Sequence, residues 1–172
     1  MPLLYENKIP INRTAFVAKI KDICAKLSIE PNWLMFAMNL ETAGTFSHTI
    51  VNSIGATGLI QFMPSTAIDL GTTTAKLRQM TNIEQLDYVY KYLRRYGYGK
   101  MHSFEDVYLT IFYPVAVGKP DTYVITSDSV ARANPLFDTN KDLNIGKLEI
   151  KNKLLSMVPA EYRDEFLKKK VQ

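Results

Sequence analysis

The sequence predicts a mainly α-helical protein, folded as a single domain over residues 1–172. Apolar residues recur at intervals of three and four along most of the chain, which is the spacing of one helix face. Proline and glycine stand where these stretches begin and end, and no pair of alternating strands is recognisable. With 47% hydrophobic and 22% charged residues, the composition is that of a globular domain able to bury its own core.

Four helices have clear buried faces. In chain order, the residues that mark these faces are Phe16, Ile20, Ile23 and Leu27; Trp33, Phe36, Ala37 and Leu40; Leu86, Val89, Leu93 and Tyr96; and Phe104, Val107, Tyr108 and Ile111. Pro31 suits the first turn of the second helix, and Pro64 opens a further short helix that Gly71 closes. Gly97 stops the third of the four helices, and Pro114 ends or kinks the last.

The remaining stretches complete the chain. Residues 42–62 form a long connection with three glycines, and long loops in compact domains are often functional. A short hairpin and an irregular excursion fit residues 118–134 equally well. We expect the last two helices at about residues 148–157 and 160–169.

Charge and cysteine content limit the classes of partner and site. The net charge of +4 favours anionic partners such as nucleic acids, acidic membranes or wall polymers, but the basic residues are scattered, so we expect no nucleic-acid partner. One cysteine cannot form an intramolecular disulfide, and one cysteine with two histidines is too few for a conventional zinc site. The N-terminus lacks the pattern of a signal peptide, and no apolar run approaches the roughly 18 residues of a membrane span. We therefore expect synthesis in the cytoplasm and no membrane span.

Glu41 is an isolated acid at the end of the second helix, because no Asp or Glu occurs between Thr42 and Ile68. A carboxyl packed there against Trp33 or Phe36 would be partly desolvated, and desolvation raises the pKa of a carboxyl. A raised pKa is what a general acid needs to hold its proton near neutral pH. The alternative is a solvent-facing residue at the helix end, although a Glu there opposes the helix dipole.

The segment after Glu41 carries the longest motif of the chain. The turn ETAGTF is followed by Asn52-Ser53 and then by GATGLIQFMPSTA, from Gly55 to Ala67. This order resembles the lytic transglycosylase family, of the SLT type, which shares its lysozyme-like fold with goose-type lysozyme. Members pair a Glu in an E-S-G-like motif with a G-A-x-G-L-M-Q-x-M-P-x-T-A run, in which Ile60 here replaces the usual Met.

Two further segments complete the resemblance, which covers about residues 15–118. The pairs Gln85-Leu86 and Tyr92-Leu93 have the spacing of the family's N-I-to-Y-L helix. The third family motif, A-Y-N-x-G, is altered, because Pro114 occupies the asparagine position and offers neither an amide side chain nor a backbone N–H. This altered form is similar to that of bacteriophage members of the family.

The resemblance implies cleavage of the β-1,4 bond between N-acetylmuramic acid and N-acetylglucosamine in peptidoglycan. Glu41 would protonate the glycosidic oxygen and then act as the base. Substrate-binding roles fall on Ser53, Gly58, Gln61, Tyr92 and Tyr113. Of these, Gly58 would allow the substrate to approach the backbone closely, whereas the two tyrosines have an alternative role as core aromatics.

The absence of a second acid near Glu41 favours a lytic mechanism, in which the substrate's own groups complete the reaction and leave a 1,6-anhydro sugar. Ordinary glycosidases use two carboxylates, so hydrolysis as in a muramidase would need help from Asp69 or Glu84. A catalytically silent wall-binding or virion protein is the non-enzyme alternative. The implied partners are glycan strands, a holin that releases a phage endolysin from the host cytoplasm, or the proteins of a virion.

A second motif lies near the C-terminus, within residues 134–172. Asp138, Asn140, Asp142, Asn144, Gly146 and Glu149 occupy positions 1, 3, 5, 7, 9 and 12 of an EF-hand-like calcium loop. Position 6, normally glycine, is Leu143, and a leucine with positive φ is costly. A structural Ca²⁺ would be the sole cofactor, since catalysis requires none. The alternative is a metal-free Asp/Asn turn that caps the next helix.

Overall fold

A computed structural model describes residues 2–125 and 128–169, and it is mainly helical, as the sequence predicts. The chain divides into two compact units, one within Met1–Gly99 and the other within Lys100–Gln172. None of the described helices is both long enough and apolar enough to cross a membrane.

The first unit contains five α-helices and a short 3-10 helix among its described residues. These are the 3-10 helix Glu6–Lys8, α1 Arg13–Leu27, α2 Pro31–Glu41, α3 Pro64–Asp69, α4 Thr74–Gln79 and α5 Asn82–Gly97. The proline starts and the glycine stops lie where the sequence predicts them. The helix α4 was not predicted, because its six residues bury Leu77 alone and give no periodic signal.

The helix α2 is more deeply buried than its pattern predicts. Trp33, Phe36 and Ala37 are buried as expected, but every residue from Asn32 to Met38 is buried, whereas Leu40 is only partly so. The helix α1 packs against both α2 and α5. Because α2 is enclosed over about two turns, its last residue is held on a rigid element.

The long connection after α2 is ordered by backbone pairing. Thr57 forms antiparallel bridges with both Val51 and Phe62, and it is fully buried. The Thr57 and Phe62 backbones exchange two hydrogen bonds of 3.0 and 2.8 Å. The glycine-rich motif is therefore a folded loop of fixed shape.

The second unit combines short helices with a pair of two-residue strands. Its described elements are α6 Phe104–Phe112, a 3-10 helix Pro114–Ala116, β1 Val124–Ile125, α7 Asp128–Ala133, β2 Ile145–Gly146, α8 Lys147–Met157, a 3-10 helix Ala160–Tyr162 and α9 Arg163–Phe166. The strands are antiparallel, with Val124 opposite Gly146 and Ile125 opposite Ile145. The strand β1 lies in the stretch 118–134, for which a hairpin and an irregular excursion were both open, but its partner β2 lies outside that stretch. Strands of two residues are too short to show alternation in the sequence.

Ion pairs of α8, one of them buried, connect it to α6 and to Asp121 in the second unit. The Lys147 side chain is almost fully buried, lies 3.4 Å from an Asp106 carboxylate oxygen and donates a hydrogen bond of 2.7 Å to the Lys119 carbonyl. One turn later, Lys151 lies 3.4 Å from Glu105 and 3.3 Å from Asp121. Sequence periodicity cannot foresee these pairs, because buried lysines are rare and each needs a partner that only the fold supplies.

Candidate active site

Glu41 is the last residue of α2, and the turn that follows it is locked by Thr42. The Thr42 side chain is fully buried, donates a hydrogen bond of 2.7 Å to the Met38 carbonyl and accepts one of 2.9 Å from the Phe46 amide. Ala43 and Gly44 then adopt left-handed conformations, with φ of 49° and 81°. Sequence reasoning missed Thr42. The available signal was a hydroxyl residue directly after the acid, where the related motif has serine.

Burial raises the pKa of the Glu41 carboxyl to about 7. The residue as a whole keeps some exposure, but its carboxyl lies deep enough among protein atoms to lose much of its hydration. Within the described part of the first unit, no side chain donates a hydrogen bond to this carboxyl and no cation pairs with it. A substantial fraction of Glu41 therefore carries a proton at neutral pH.

Tyr92 of α5 lies near enough to Glu41 for the charge of Glu41 to affect its pKa. Burial raises the pKa of the Tyr92 phenol, and the nearby Tyr96 and the negative charge of Glu41 raise it further. The Tyr92 ring meets Phe62 edge-on, with the ring centroids 6.2 Å apart, and lies 4.8 Å from the Tyr96 ring. The structure thus brings together the acid, a phenol with a raised pKa and Phe62 of the glycine-rich motif.

Gln85 anchors the glycine-rich loop to α5. Its side chain is fully buried, and its amide oxygen accepts a hydrogen bond of 2.8 Å from the Leu59 N–H. Its amide nitrogen donates to the carbonyls of His48 at 2.8 Å and Leu77 at 3.0 Å. One side chain therefore ties three separate backbone segments together. The sequence identifies Gln85 only by its spacing from Tyr92-Leu93. The anchoring role of its side chain follows from the fold.

Gly58 and Gln61 lie in the same turn of the loop. Gly58 is buried with φ of 81°, and a Cβ atom at this position would collide with the Gln85 amide. The close approach that this glycine permits in the structure is thus that of Gln85. Gln61 is half-buried, has φ of 53°, and donates a side-chain hydrogen bond of 3.1 Å to the Gly58 carbonyl.

Replacing Gly58 by alanine is expected to lower the free energy of unfolding by about 3 kcal/mol. Left-handed backbone strain contributes roughly 1 kcal/mol, and displacement of Gln85 contributes about 2 kcal/mol. Gly71→Ala is the matched control, since Gly71 has the same φ of 81° but no atom lies within 4 Å of the place that its Cβ would occupy. Chemical denaturation measures both variants. Equal losses in the two would contradict a specific collision at Gly58.

The two remaining predicted substrate residues are Ser53, which is exposed, and Tyr113, which belongs to the second unit. Ser53 is exposed at the tip of a turn closed by a hydrogen bond of 3.1 Å from the Gly55 N–H to the Asn52 carbonyl. Tyr113 belongs to the second unit, where it is half-buried and directly follows α6. Pro114, at the altered third motif, opens the 3-10 helix Pro114–Ala116.

The two carboxylates named for a hydrolytic alternative have different surroundings. Glu84 closes a capping box at the start of α5, where it accepts hydrogen bonds from the Thr81 N–H at 2.7 Å and the Thr81 hydroxyl at 3.0 Å. These bonds lower the pKa of Glu84. Asp69 is exposed at the end of α3, and the Tyr96 hydroxyl lies 3.5 Å from its carboxylate. Asp69 is therefore the better placed of the two, because Tyr96 packs against Tyr92.

The calcium-loop motif forms a compact turn held by its own side chains. Asp138 accepts hydrogen bonds from the amides of Asp142 at 3.1 Å and Leu143 at 3.2 Å, and Glu149 accepts one of 2.9 Å from the Gly146 N–H. Leu143 adopts φ of 63°, the left-handed conformation for which EF-hand loops use glycine. The hydrogen bond from the Gly146 N–H makes Glu149 a cap of α8. Among the described residues, no group of three or more His, Cys, Asp or Glu side chains is arranged to hold a metal ion.

Comparison with known proteins adds no relative. No protein-family model, no curated protein and no solved structure matches the chain.

Proposed function

We propose that this chain is a peptidoglycan lytic transglycosylase with a lysozyme-like fold, of the phage type. The observation that carries the proposal is the Glu41 carboxyl, whose pKa is raised to about 7 by burial at the end of an enclosed helix. It lies near the neutral phenol of Tyr92 and the GATGLIQFMPSTA loop, which supports a role in one site. A binding protein gains nothing from a desolvated, unpaired acid at such a place.

The mechanism follows from a single acid that changes role. Protonated Glu41 donates its proton to the glycosidic oxygen, and the bond from that oxygen to C1 of the muramic sugar breaks. The resulting Glu41 carboxylate then accepts the proton of the sugar's own C6 hydroxyl as its oxygen bonds to C1. Glu41 ends protonated, no water is consumed, and the product is a 1,6-anhydro sugar.

The surrounding residues support this cycle by position and polarity. Tyr92 keeps its proton, so it can donate a hydrogen bond without adding a negative charge beside Glu41. Gln61 and Ser53 present polar groups on the loop, and they are the residues we assign to sugar binding there. Tyr113 is assigned to sugar binding by its position in the altered third motif alone.

Hydrolysis is the second candidate, and Asp69 is the observation that favours it. Its exposed carboxylate lies beside Tyr96, the ring partner of Tyr92. Mass spectrometry of the fragments released from purified peptidoglycan separates the two reactions. We expect anhydro-muramic ends, which are lighter by one water than hydrolytic reducing ends. Reducing ends that disappear in Asp69→Asn would establish hydrolysis instead.

A turbidity assay on purified peptidoglycan separates both enzymes from a silent wall-binding or virion protein. Clearing by the wild type is expected, and a complete lack of clearing by a folded wild-type chain would favour the silent alternative. Release through a holin pore and delivery in a virion both fit an enzyme of this kind.

We also propose that the loop from Asp138 to Glu149 binds a structural Ca²⁺ ion weakly. Asp138, Asn140, Asp142 and Glu149 would supply side-chain oxygens, and Asn144 its carbonyl, as in an EF-hand loop. The left-handed Leu143 preserves the required turn. Titration calorimetry should give binding heat with a dissociation constant on the order of 10⁻⁴–10⁻³ M. Asp138→Ala and Glu149→Ala should each remove the heat, and a wild type without heat would leave a metal-free helix cap.

A further inference from the structure

The outer face of α5 carries three cations near its C-terminal end. Lys91, Arg94 and Arg95 are exposed. No carboxylate in the described part of the first unit forms an ion pair with any of them, whereas other lysines of this unit, such as Lys19 and Lys26, do pair with carboxylates. Their positive charge is therefore available to a ligand.

Aromatic rings hold these cations in place without neutralising them. The Lys91 ammonium lies 4.5 Å from the centre of the Tyr88 ring. The Arg94 guanidinium lies 6.0 Å from the Tyr90 ring and donates a hydrogen bond of 3.1 Å to the Tyr90 hydroxyl. Since cation–π contacts restrain a side chain and keep its charge, less entropy is lost when a ligand binds.

Arg95 is held in a similar way at the other side. Its guanidinium lies 5.6 Å from the Tyr96 ring and donates a hydrogen bond of 3.1 Å to the Asp69 carbonyl. Each exposed arginine is thus restrained by one ring and one hydrogen bond. The planar guanidinium matches the oxygens of a phosphate group better than a lysine ammonium does.

These groups line a surface depression of about 520 Å³. Its lining residues are Asp69, Leu70, Tyr90, Lys91, Arg94 and Arg95. The lining therefore contains three cations and one carboxylate, that of Asp69. Leu70 and the Tyr90 ring supply apolar surface for the C–H groups of a ligand.

A second depression lies next to the first, and the cationic region ends there. It measures about 560 Å³ and shares Tyr90 and Lys91, but Glu84 and Asp87 also line it. Asp87 is paired with Lys19, but the Glu84 carboxylate repels an anionic ligand, which favours binding on the side of Arg94 and Arg95.

We propose that the 520 Å³ depression, which we name the α5 anion site, binds a phosphodiester polymer of the bacterial surface in which polyol units alternate with phosphates. The cations contact successive phosphates, and Tyr90 and Leu70 contact the polyol carbons. This proposal rests on the proposed wall-degrading function, because such polymers accompany the glycan strands that Glu41 would cleave. Binding there holds the enzyme at its substrate.

The test measures binding of the full chain to poly(glycerol phosphate) of defined length, free of peptidoglycan. Lys91→Gln/Arg94→Gln should bind at least about tenfold more weakly than the wild type, and wild-type affinity should fall about tenfold from about 50 to about 200 mM salt. The matched control is Lys21→Gln/Lys76→Gln, which removes two exposed cations from α1 and α4. This control should bind within about twofold of the wild type.

Two results would overturn the proposal. Equal weakening in both double variants would show that net charge alone drives binding. Equally tight binding of polyglutamate or single-stranded DNA of the same charge would show that the site does not select polyol phosphates. Thermal melting of all variants confirms that they are folded.

A second readout separates this proposal from the proposed function. On intact walls Lys91→Gln/Arg94→Gln should clear more slowly than the wild type, whereas both should clear equally fast on peptidoglycan stripped of phosphate polymers. If the wild type binds the polymer but never clears stripped peptidoglycan, the proposed function fails and the α5 anion site stands. If clearing occurs without polymer binding, the reverse holds.

Discussion

Glu41→Gln is expected to reduce peptidoglycan clearing by at least about 10²-fold, because the amide has no proton acidic enough to transfer to the glycosidic oxygen. Glutamine has nearly the same shape as glutamate, so the end of α2 and the Thr42 turn should persist. Wild-type activity should fall as the pH rises through about 7, since the protonated carboxyl is the form that starts the reaction.

The same substitution is expected to stabilise the protein at alkaline pH. The folded-state pKa of Glu41, about 7, lies above the ordinary value of 4.5, so the folded state binds this proton more tightly than the unfolded state. That contribution is fully present below about pH 4.5 and is lost as the pH rises through about 7. At pH 8, Glu41→Gln should therefore unfold with a free energy about 3 kcal/mol higher than the wild type.

Denaturant melts at several pH values measure this effect, and they have a clear control. The difference between wild type and Glu41→Gln should vanish near pH 4, where the wild-type carboxyl is protonated. Glu161→Gln, at an exposed position in the second unit, should change neither clearing nor the pH dependence. If Glu41→Gln cleared as fast as the wild type, Glu41 would have no part in the chemistry.

Gln85→Leu is expected to lower the free energy of unfolding by about 4 kcal/mol. Leucine fills a similar volume, but it leaves the buried Leu59 N–H, the buried Leu77 carbonyl and the partly buried His48 carbonyl without their partner. Each unsatisfied buried group costs about 1–3 kcal/mol. A loss of this size is comparable with the total stability of many domains.

Gln61→Leu is the matched control for this prediction. Gln61 lies in the same loop, but it is half-exposed and makes a single local hydrogen bond to Gly58. It should cost less than about 1 kcal/mol in stability and still weaken clearing if its amide binds sugar. Equal stability losses for Gln61→Leu and Gln85→Leu in urea denaturation would contradict the anchoring role of Gln85.

Most of the helical fold could be predicted from local signals. The parts that escaped prediction share a common cause. The ends of α2, α3 and α5 coincide with Pro31, Pro64 and Gly97, because proline and glycine act through their own backbone geometry. The strand pair and α7 escaped prediction because two to six residues carry no period. The final helical region ends at Phe166, short of the predicted residue 169.

The candidate site shows the same division between local and tertiary information. The raised pKa of Glu41 was expected from a carboxyl at the end of an apolar helix. The anchoring by Gln85 could not be foreseen, since its three partners lie 8, 26 and 37 residues away along the chain. The sequence predicts that the substrate approaches the backbone at Gly58. In the structure the group that approaches it is the Gln85 amide, which is distant in sequence and could not be foreseen.

The position of Gln85 on α5 determines which parts of the site can move independently. Gln85 and Tyr92 are seven residues apart, which is about two helical turns, so both project from the same side of α5 at a separation of roughly 10 Å. The loop tied to Gln85 and the phenol of Tyr92 are therefore carried by one rigid rod. Any motion of α5 relative to the end of α2 would carry the loop with it. The spacing between Tyr92 and the loop would be preserved, while the distance from Tyr92 to Glu41 would change.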